Sequence, residues 1–206
     1  MIVPMLVFTA LGFFSGSLMF SYWLGKRMLG KDITTVGDGN PGTFNVFKAG
    51  GKAVGALAFL LDVLKGTIPV AIARYGFGLY GWELLPVALA PVFGHAFSPF
   101  MGWRGGKAVA VAFGVYMAIT LWEMPVITGL TLGLYYTVIG NSGVAILMTS
   151  LTALVYILLF DAYPVLIAYN IASSALILWK YRADFREPLA LRGWIRRRLW
   201  PSKQSV

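Results

Sequence analysis

Seven apolar runs separated by short polar turns constrain this chain more than any other feature. They fall at 2–24, 53–73, 84–103, 107–121, 126–139, 144–160 and 163–179. The later turns are Gly-Trp-Glu at 81–83, Arg-Gly-Gly-Lys at 104–107, Trp-Glu-Met-Pro at 122–125, Gly-Asn-Ser-Gly at 140–143 and Asp-Ala-Tyr-Pro at 161–164. Runs of roughly 20 apolar residues cross a bilayer as helices, since a helix satisfies its own backbone polar groups where no water can. Of the 206 residues 58% are hydrophobic and 12% charged, more apolar surface than a soluble core of this size can hide. The expectation is an all-α, polytopic membrane helix bundle of about seven spans, forming one domain over 1–206. No basic stretch precedes the first run, which reads as a membrane helix and not a cleaved signal. With no cysteine in the chain, disulfides, thiol chemistry and cysteine-held metals are excluded.

The basic residues test this topology independently, because Lys and Arg are retained on the cytoplasmic side. Lys26, Arg27, Lys31, Lys48 and Lys52 fall in the first loop, and Arg104 and Lys107 in the third. Lys180, Arg182, Arg186, Arg192, Arg196, Arg197, Arg198 and Lys203 fall in a tail at 180–206. Seven spans put all of these on one face, with the N-terminus outside and the C-terminus cytoplasmic. Glu83, Glu123 and Asp161 fall in the opposite loops. The Trp-interleaved basic stretch at 192–200 reads as an interfacial helix held by anionic lipid. Nucleic acid is not an expected partner, since the net charge of +9 follows the topology.

Polar residues in or beside the spans need a reason to be there. Asp62 and Lys65 lie three apart on one helix face and can pair. Such a pair either holds the bundle together or orients an anion and a neighbouring loop; both readings stay open. The segment 37–45, Gly-Asp-Gly-Asn-Pro-Gly-Thr-Phe-Asn, contains G-x-G-x-x-G without the strand-turn-helix setting of a dinucleotide site. What remains is either a simple turn or exposed amides able to cradle phosphate. The third cluster runs from His95 to Lys107, and Arg104-Gly105-Gly106-Lys107 puts two cations at an expected helix start. It is not a Walker loop, because Ala108 follows Lys107. Phe100 stands where a His-x4-Asp dyad would need its Asp. The single histidine supports neither a metal pair nor a serine triad.

Taken in order, Gly39-Asn40-Pro41-Gly42-x-x-Asn45-Val46-Phe47-Lys48, then Asp62-Val-Leu-Lys65-Gly66, then His95-x-Phe97 leading to Trp103-Arg104-Gly105-Gly106-Lys107, resemble the bacterial acyl-phosphate:glycerol-3-phosphate acyltransferases, the PlsY family. The resemblance implies transfer of a fatty acyl group from acyl phosphate to the 1-hydroxyl of glycerol 3-phosphate, giving lysophosphatidic acid for phospholipid synthesis. It implies no cofactor and no metal, and a multi-pass protein of a bacterial plasma membrane with its site on the cytoplasmic side. It implies a catalytic group of Lys107, Arg104, His95 and Asn45. Asn40, Asn45 and Lys48 would bind the acceptor, and Arg104 and Lys107 the donor phosphate with the Gly105 and Gly106 amides. Lys65 and Asp62 would give support, with Asp38, Gly39, Gly42, Arg182 and Arg186 completing the substrate-binding set.

Two positions depart from the family pattern. Asp38 stands where serine is usual, and a carboxylate there repels phosphate unless it turns away or pairs with a cation. After the last span Arg182 is followed by Ala183-Asp184-Phe185-Arg186, where the family commonly has Arg-His-x-x-Asn-Ile. The alternative is a divergent relative with another acceptor, or a non-catalytic lipid-binding protein.

Overall fold

A computed structural model of the chain describes residues 1–199, which are helical apart from turns and one isolated bridge between Ile139 and Leu191. The helices are α1 Ile2–Ser17, α2 Phe20–Met28, α3 Thr43–Lys48, α4 Lys52–Ala71, α5 Leu84–Ala96, α6 Val109–Thr120, α7 Glu123–Val138, α8 Ser142–Phe160, α9 Pro164–Lys180 and α10 Gly193–Leu199. Each apolar run after the first overlaps one of these helices. Four stretches are long and apolar enough to cross a membrane, Ile2–Met28, Lys52–Gly76, Gly81–Met101 and Ser142–Phe160; Val109–Thr120 and Pro164–Lys180 are apolar and shorter. Faces turned away from the bundle are apolar too, such as Leu151, Val155, Leu158 and Leu159 on α8, as a lipid solvent requires.

The first run is not one helix. The chain breaks at Leu18, whose backbone is extended, and resumes as α2. A break at bilayer depth frees carbonyls that must find donors in protein. Here Ser98 Oγ donates to the Ser17 carbonyl at 2.7 Å, and Lys65 Nζ donates to that of Leu18. The break therefore depends on residues about 47 and 81 positions away, and no local pattern announces it.

Close approach of helices rests on small residues, the usual device where lipid removes the hydrophobic drive between spans. A Cβ on Gly16 would run into the Pro91 carbonyl across the α1–α5 contact. One on Gly114 would run into the Val63 carbonyl across α4–α6. Buried hydrogen bonds add ties: Tyr169 Oη donates to the Ala112 carbonyl at 3.1 Å, and Asn170 Nδ2 to Tyr116 Oη at 2.7 Å.

The segment after α9 is not a free tail at its start. The Gly140 amide donates to the Ala190 carbonyl, Arg192 Nε to that of Tyr136, and Trp194 Nε1 to that of Thr137. Residues 190–194 are thus laced across the end of α7, at the start of the basic stretch expected to form an interfacial helix. Trp200, the last residue of the expected interfacial helix, and Lys203 lie outside the described residues.

Candidate active site

The loop before α3, the start of α6 and the turn after α9 meet around a cavity of about 670 Å3. Its volume lies within the range of small-molecule sites. Asp38, Asn40, Gly42, Lys48, His95 and Lys107 line its polar end. Phe44, Phe47, Phe59, Phe113, Leu132 and Tyr136 line the rest, beside Gly129 and Gly133 of α7. Phe44, Phe47 and Phe59 are themselves 53%, 41% and 43% exposed, so the apolar end reaches the surface of the bundle.

Lys107 is the centre of the polar end. Its Nζ lies 2.9 Å from Asp38 Oδ2, 3.1 Å from Asp184 Oδ1 and 3.8 Å from the centre of the Tyr181 ring. Burial pushes the Tyr181 phenol well above its usual range, so the lysine faces a neutral ring. The Asp38 carboxylate also accepts from the Asn45 amide at 2.9 Å and the Asn40 N–H at 3.2 Å. Partial burial by itself would raise its pKa. The hydrogen bond and charge of Lys107, with the Asn40 and Asn45 donors, outweigh that and hold it below the ordinary carboxylate value. Asp38 is therefore an ionised, weakly basic group at neutral pH.

The Gly105 and Gly106 amides, expected to meet phosphate, are already engaged: they donate to the Ala96 and His95 carbonyls at 3.2 and 3.0 Å. Their role is steric. A Cβ on Gly105 would run into the His95 carbonyl, and one on Gly106 into His95 Nε2. Beyond Lys107 the first turn of α6 borders the cavity. Ala108, Val109 and Ala110 line it and have no backbone acceptor, since α6 begins at Val109 and its first turn has no preceding turn to donate to. A helix N-terminus beside a lysine has the chemistry to take an anion.

Behind the cavity wall lies a buried polar relay. Lys65 and Asp62 pair at 2.7 Å with both side chains 2% exposed. Asp62 Oδ2 accepts from Ser21 Oγ at 2.6 Å and Thr43 Oγ1 at 3.2 Å, tying α4 to α2 and α3. Lys65 Nζ also lies 2.9 Å from His95 Nδ1. An ammonium can only donate, so Nδ1 accepts and the ring proton sits on Nε2, which adjoins Gly106. Asp62 and Lys65 do not line the cavity; Lys65 reaches it through His95 and Asp62 through Thr43.

Asn45 is fully buried and uses its Nδ2 on Asp38 and the Asn40 carbonyl. Its Oδ1 finds no donor among the described residues. That acceptor and Lys48 Nζ would both crowd a Cβ placed on Gly37, so the two lie side by side.

Other expected residues stand apart. Arg104 is exposed and does not line the cavity. Arg182 stacks on Trp179 at 4.5 Å and donates to its carbonyl. Arg186 and Gly39 are exposed and outside the lining. The sequence reading missed Asp184, Tyr181 and the amides of 108–110. A helix start after Gly-Gly-Lys was the available signal for the amides; nothing local marked Asp184.

Residues 6–190 match the family model described as glycerol-3-phosphate acyltransferase. The chain is 33% identical over 194 residues to the glycerol-3-phosphate acyltransferase of Synechococcus sp. (strain CC9902), covering 92% of this chain and 94% of that one. It is 36% identical over 188 residues to that of Aquifex aeolicus (strain VF5), covering 84% and 93%. The crystal structure of PlsY (YgiH), an integral membrane glycerol 3-phosphate acyltransferase in its glycerol 3-phosphate form, superposes with a TM-score of 0.80 at 32% identity, covering 88% of this chain and 90% of that one. The lysophosphatidic acid form superposes with a TM-score of 0.78.

Proposed function

The chain belongs to the glycerol-3-phosphate acyltransferase family, and from that premise we propose the reaction it runs and the residues that carry it. It is a membrane acyltransferase that moves a fatty acyl group onto glycerol 3-phosphate. The donor is acyl phosphate, the attacked carbonyl belongs to its acyl group, and the attacking atom is the 1-hydroxyl oxygen. The new C–O ester bond forms as the carbonyl carbon's bond to the phosphate oxygen breaks. Orthophosphate leaves with that electron pair, a substrate phosphate oxygen takes the hydroxyl proton, and lysophosphatidic acid remains.

One observation supports this reading: a single cavity brings Lys107, Lys48 and the start of α6 together with an apolar wall that reaches the bundle surface. Lys107 and the α6 amides hold the donor phosphate and stabilise the charge that grows on it as the bond breaks. The acyl chain lies against Phe59, Phe113 and Leu132. Lys48, which forms no ion pair among the described residues, takes the acceptor phosphate with Asn40 beside it in the lining, and the buried Asn45 holds their loop through Asp38 and the Asn40 carbonyl. His95 offers its Nε2–H at the wall. Acyl phosphate is already activated, so no enzyme nucleophile is needed, and Asp38 is held too acidic to serve as an effective base.

Seven spans, an outside N-terminus and a cytoplasmic site complete the proposal, supported by four helices long and apolar enough to cross, by the shorter apolar helices between them, and by the basic residues gathered in alternate loops. The protein works as one domain in a bacterial plasma membrane, with anionic lipid beneath its basic C-terminal segment.

The test is release of orthophosphate from palmitoyl phosphate by the purified protein, with and without glycerol 3-phosphate. Release that depends on the acceptor and falls by about 10²–10³ in Lys107→Ala supports the assignment. Full turnover without Lys107 removes it from the phosphate site. Silence of the native chain favours the non-catalytic lipid binder.

A further inference from the structure

Lys107, the cation on which the proposed donor site depends, is already held by two carboxylates. Asp38 Oδ2 and Asp184 Oδ1 lie 2.9 and 3.1 Å from its Nζ, whose side chain is 15% exposed. The lysine and its two partners together carry one net negative charge. A phosphate anion cannot dock on that cluster without displacing a carboxylate, since like charges a few ångströms apart repel strongly in a site partly shielded from water.

Asp184 is built into place. The Asn141 amide donates to its backbone carbonyl at 2.6 Å, while Asn141 Oδ1 accepts from the Val144 N–H and caps α8. The Asp184 N–H donates to the Tyr181 carbonyl at 2.8 Å, closing the turn that sets the carboxylate beside the ring under Lys107. Asp38, with 42% of its side chain exposed, is the looser partner; Asp184, at 20%, is the more enclosed one.

We propose that Asp184, with Asp38, is a positioning residue that competes with phosphate for Lys107: it holds the lysine while the site is empty and takes it back as orthophosphate leaves. This rests on the acyltransferase reading for the identity of the leaving group. The pair weakens product binding, trading affinity for the donor against release of orthophosphate. It also keeps the Lys107 ammonium over Tyr181, pointed at the cavity, between turnovers.

The measurement is orthophosphate binding to the full-length purified protein by isothermal titration calorimetry, in wild type, Asp184→Asn and Asp38→Asn, with thermal unfolding as a check on folding. Removing one competing carboxylate is expected to tighten binding about three- to tenfold, the gain vanishing when Lys107→Ala is added. Orthophosphate inhibition of turnover should tighten in parallel. A merely structural role predicts the opposite sign, because a disordered site binds less. Unchanged or weaker binding in a folded Asp184→Asn variant overturns the proposal; if that variant does not fold, Asp38→Asn decides by the same criterion. Binding needs no turnover, so tightened binding in a chain that transfers no acyl group would sink the acyltransferase reading and leave the competition standing.

Discussion

Replacing Lys65 by Met should separate stability from catalysis in the buried relay. Lys65 and Asp62 pair at 2.7 Å with side chains 2% exposed, so the substitution strands a carboxylate inside the bundle. Breaking one side of such a pair costs about 3–5 kcal/mol. The Ser21 and Thr43 hydroxyls at 2.6 and 3.2 Å remain on Asp62 and offset part of this. In the double variant Asp62→Leu/Lys65→Met no charge is stranded, and Ser21 Oγ and Thr43 Oγ1, already 3.0 Å apart, can pair with each other. The double variant should therefore regain more than half of the stability lost by Lys65→Met, read as the unfolding midpoint in detergent by tryptophan fluorescence. It should not regain activity. Without Lys65, His95 Nδ1 loses its donor and the ring no longer holds its proton on Nε2, so turnover with palmitoyl phosphate should stay down by about tenfold or more. A Lys65→Met protein as stable as wild type would refute the account of the pair. A fully active double variant would refute the link to His95 and leave the pair a bundle tie only.

Gly106→Ala places a methyl group against His95 Nε2 and should abolish most turnover while leaving the helical content intact by circular dichroism; wild-type rates would show that the histidine can retreat without consequence. Gly114→Ala drives a Cβ into the Val63 carbonyl at the α4–α6 crossing and should lower stability by about 1–3 kcal/mol, with no loss of midpoint counting against that contact. The Asp38 carboxylate is held below its ordinary value, so its pairing with Lys107 is fully present above about pH 4 and is lost only as pH falls through the lowered pKa. Between pH 6 and 8, to the order of the ordinary carboxylate range, Asp38→Asn should change the height of the rate profile and not its shape. A neutral-range inflection present in wild type and missing in the variant would contradict this.

Apolar length made the helical bundle legible, because lipid exposes each helix to the same demand wherever it sits in the chain. The break at Leu18 was not legible, since its stabilising donors, Ser98 Oγ and Lys65 Nζ, come from distant segments. In the site, the sequence pattern singled out Asn40, Lys48, His95 and Lys107, and the fold brings all four to one cavity. It misjudged the two glycines, because a Gly-Gly step reads equally as free amides or as room for a neighbour, and only the His95 contact distinguishes them. The arginines misled for a related reason: a long side chain near a site can turn outward, as Arg182 does onto Trp179.

The two departures from the family pattern were separate puzzles in the sequence, at positions 38 and 183–186, and the fold makes them one. Asp38 threatens a phosphate site when read alone. The turn after α9 loses two polar side chains when read alone, and in their vicinity supplies Asp184. Lys107 joins the two carboxylates, so Asp38 pairs with a cation, one of the two ways it could sit beside phosphate without opposing it, and Asp184 shares that lysine from the other side. If the two act as a unit, Asp38→Asn and Asp184→Asn will not be additive: Asp184→Asn should change orthophosphate affinity by a different factor in the Asp38→Asn background than in wild type, because residues sharing one partner couple. Equal factors in either order would mean that the two carboxylates act on phosphate separately, and that their meeting at Lys107 has no energetic consequence.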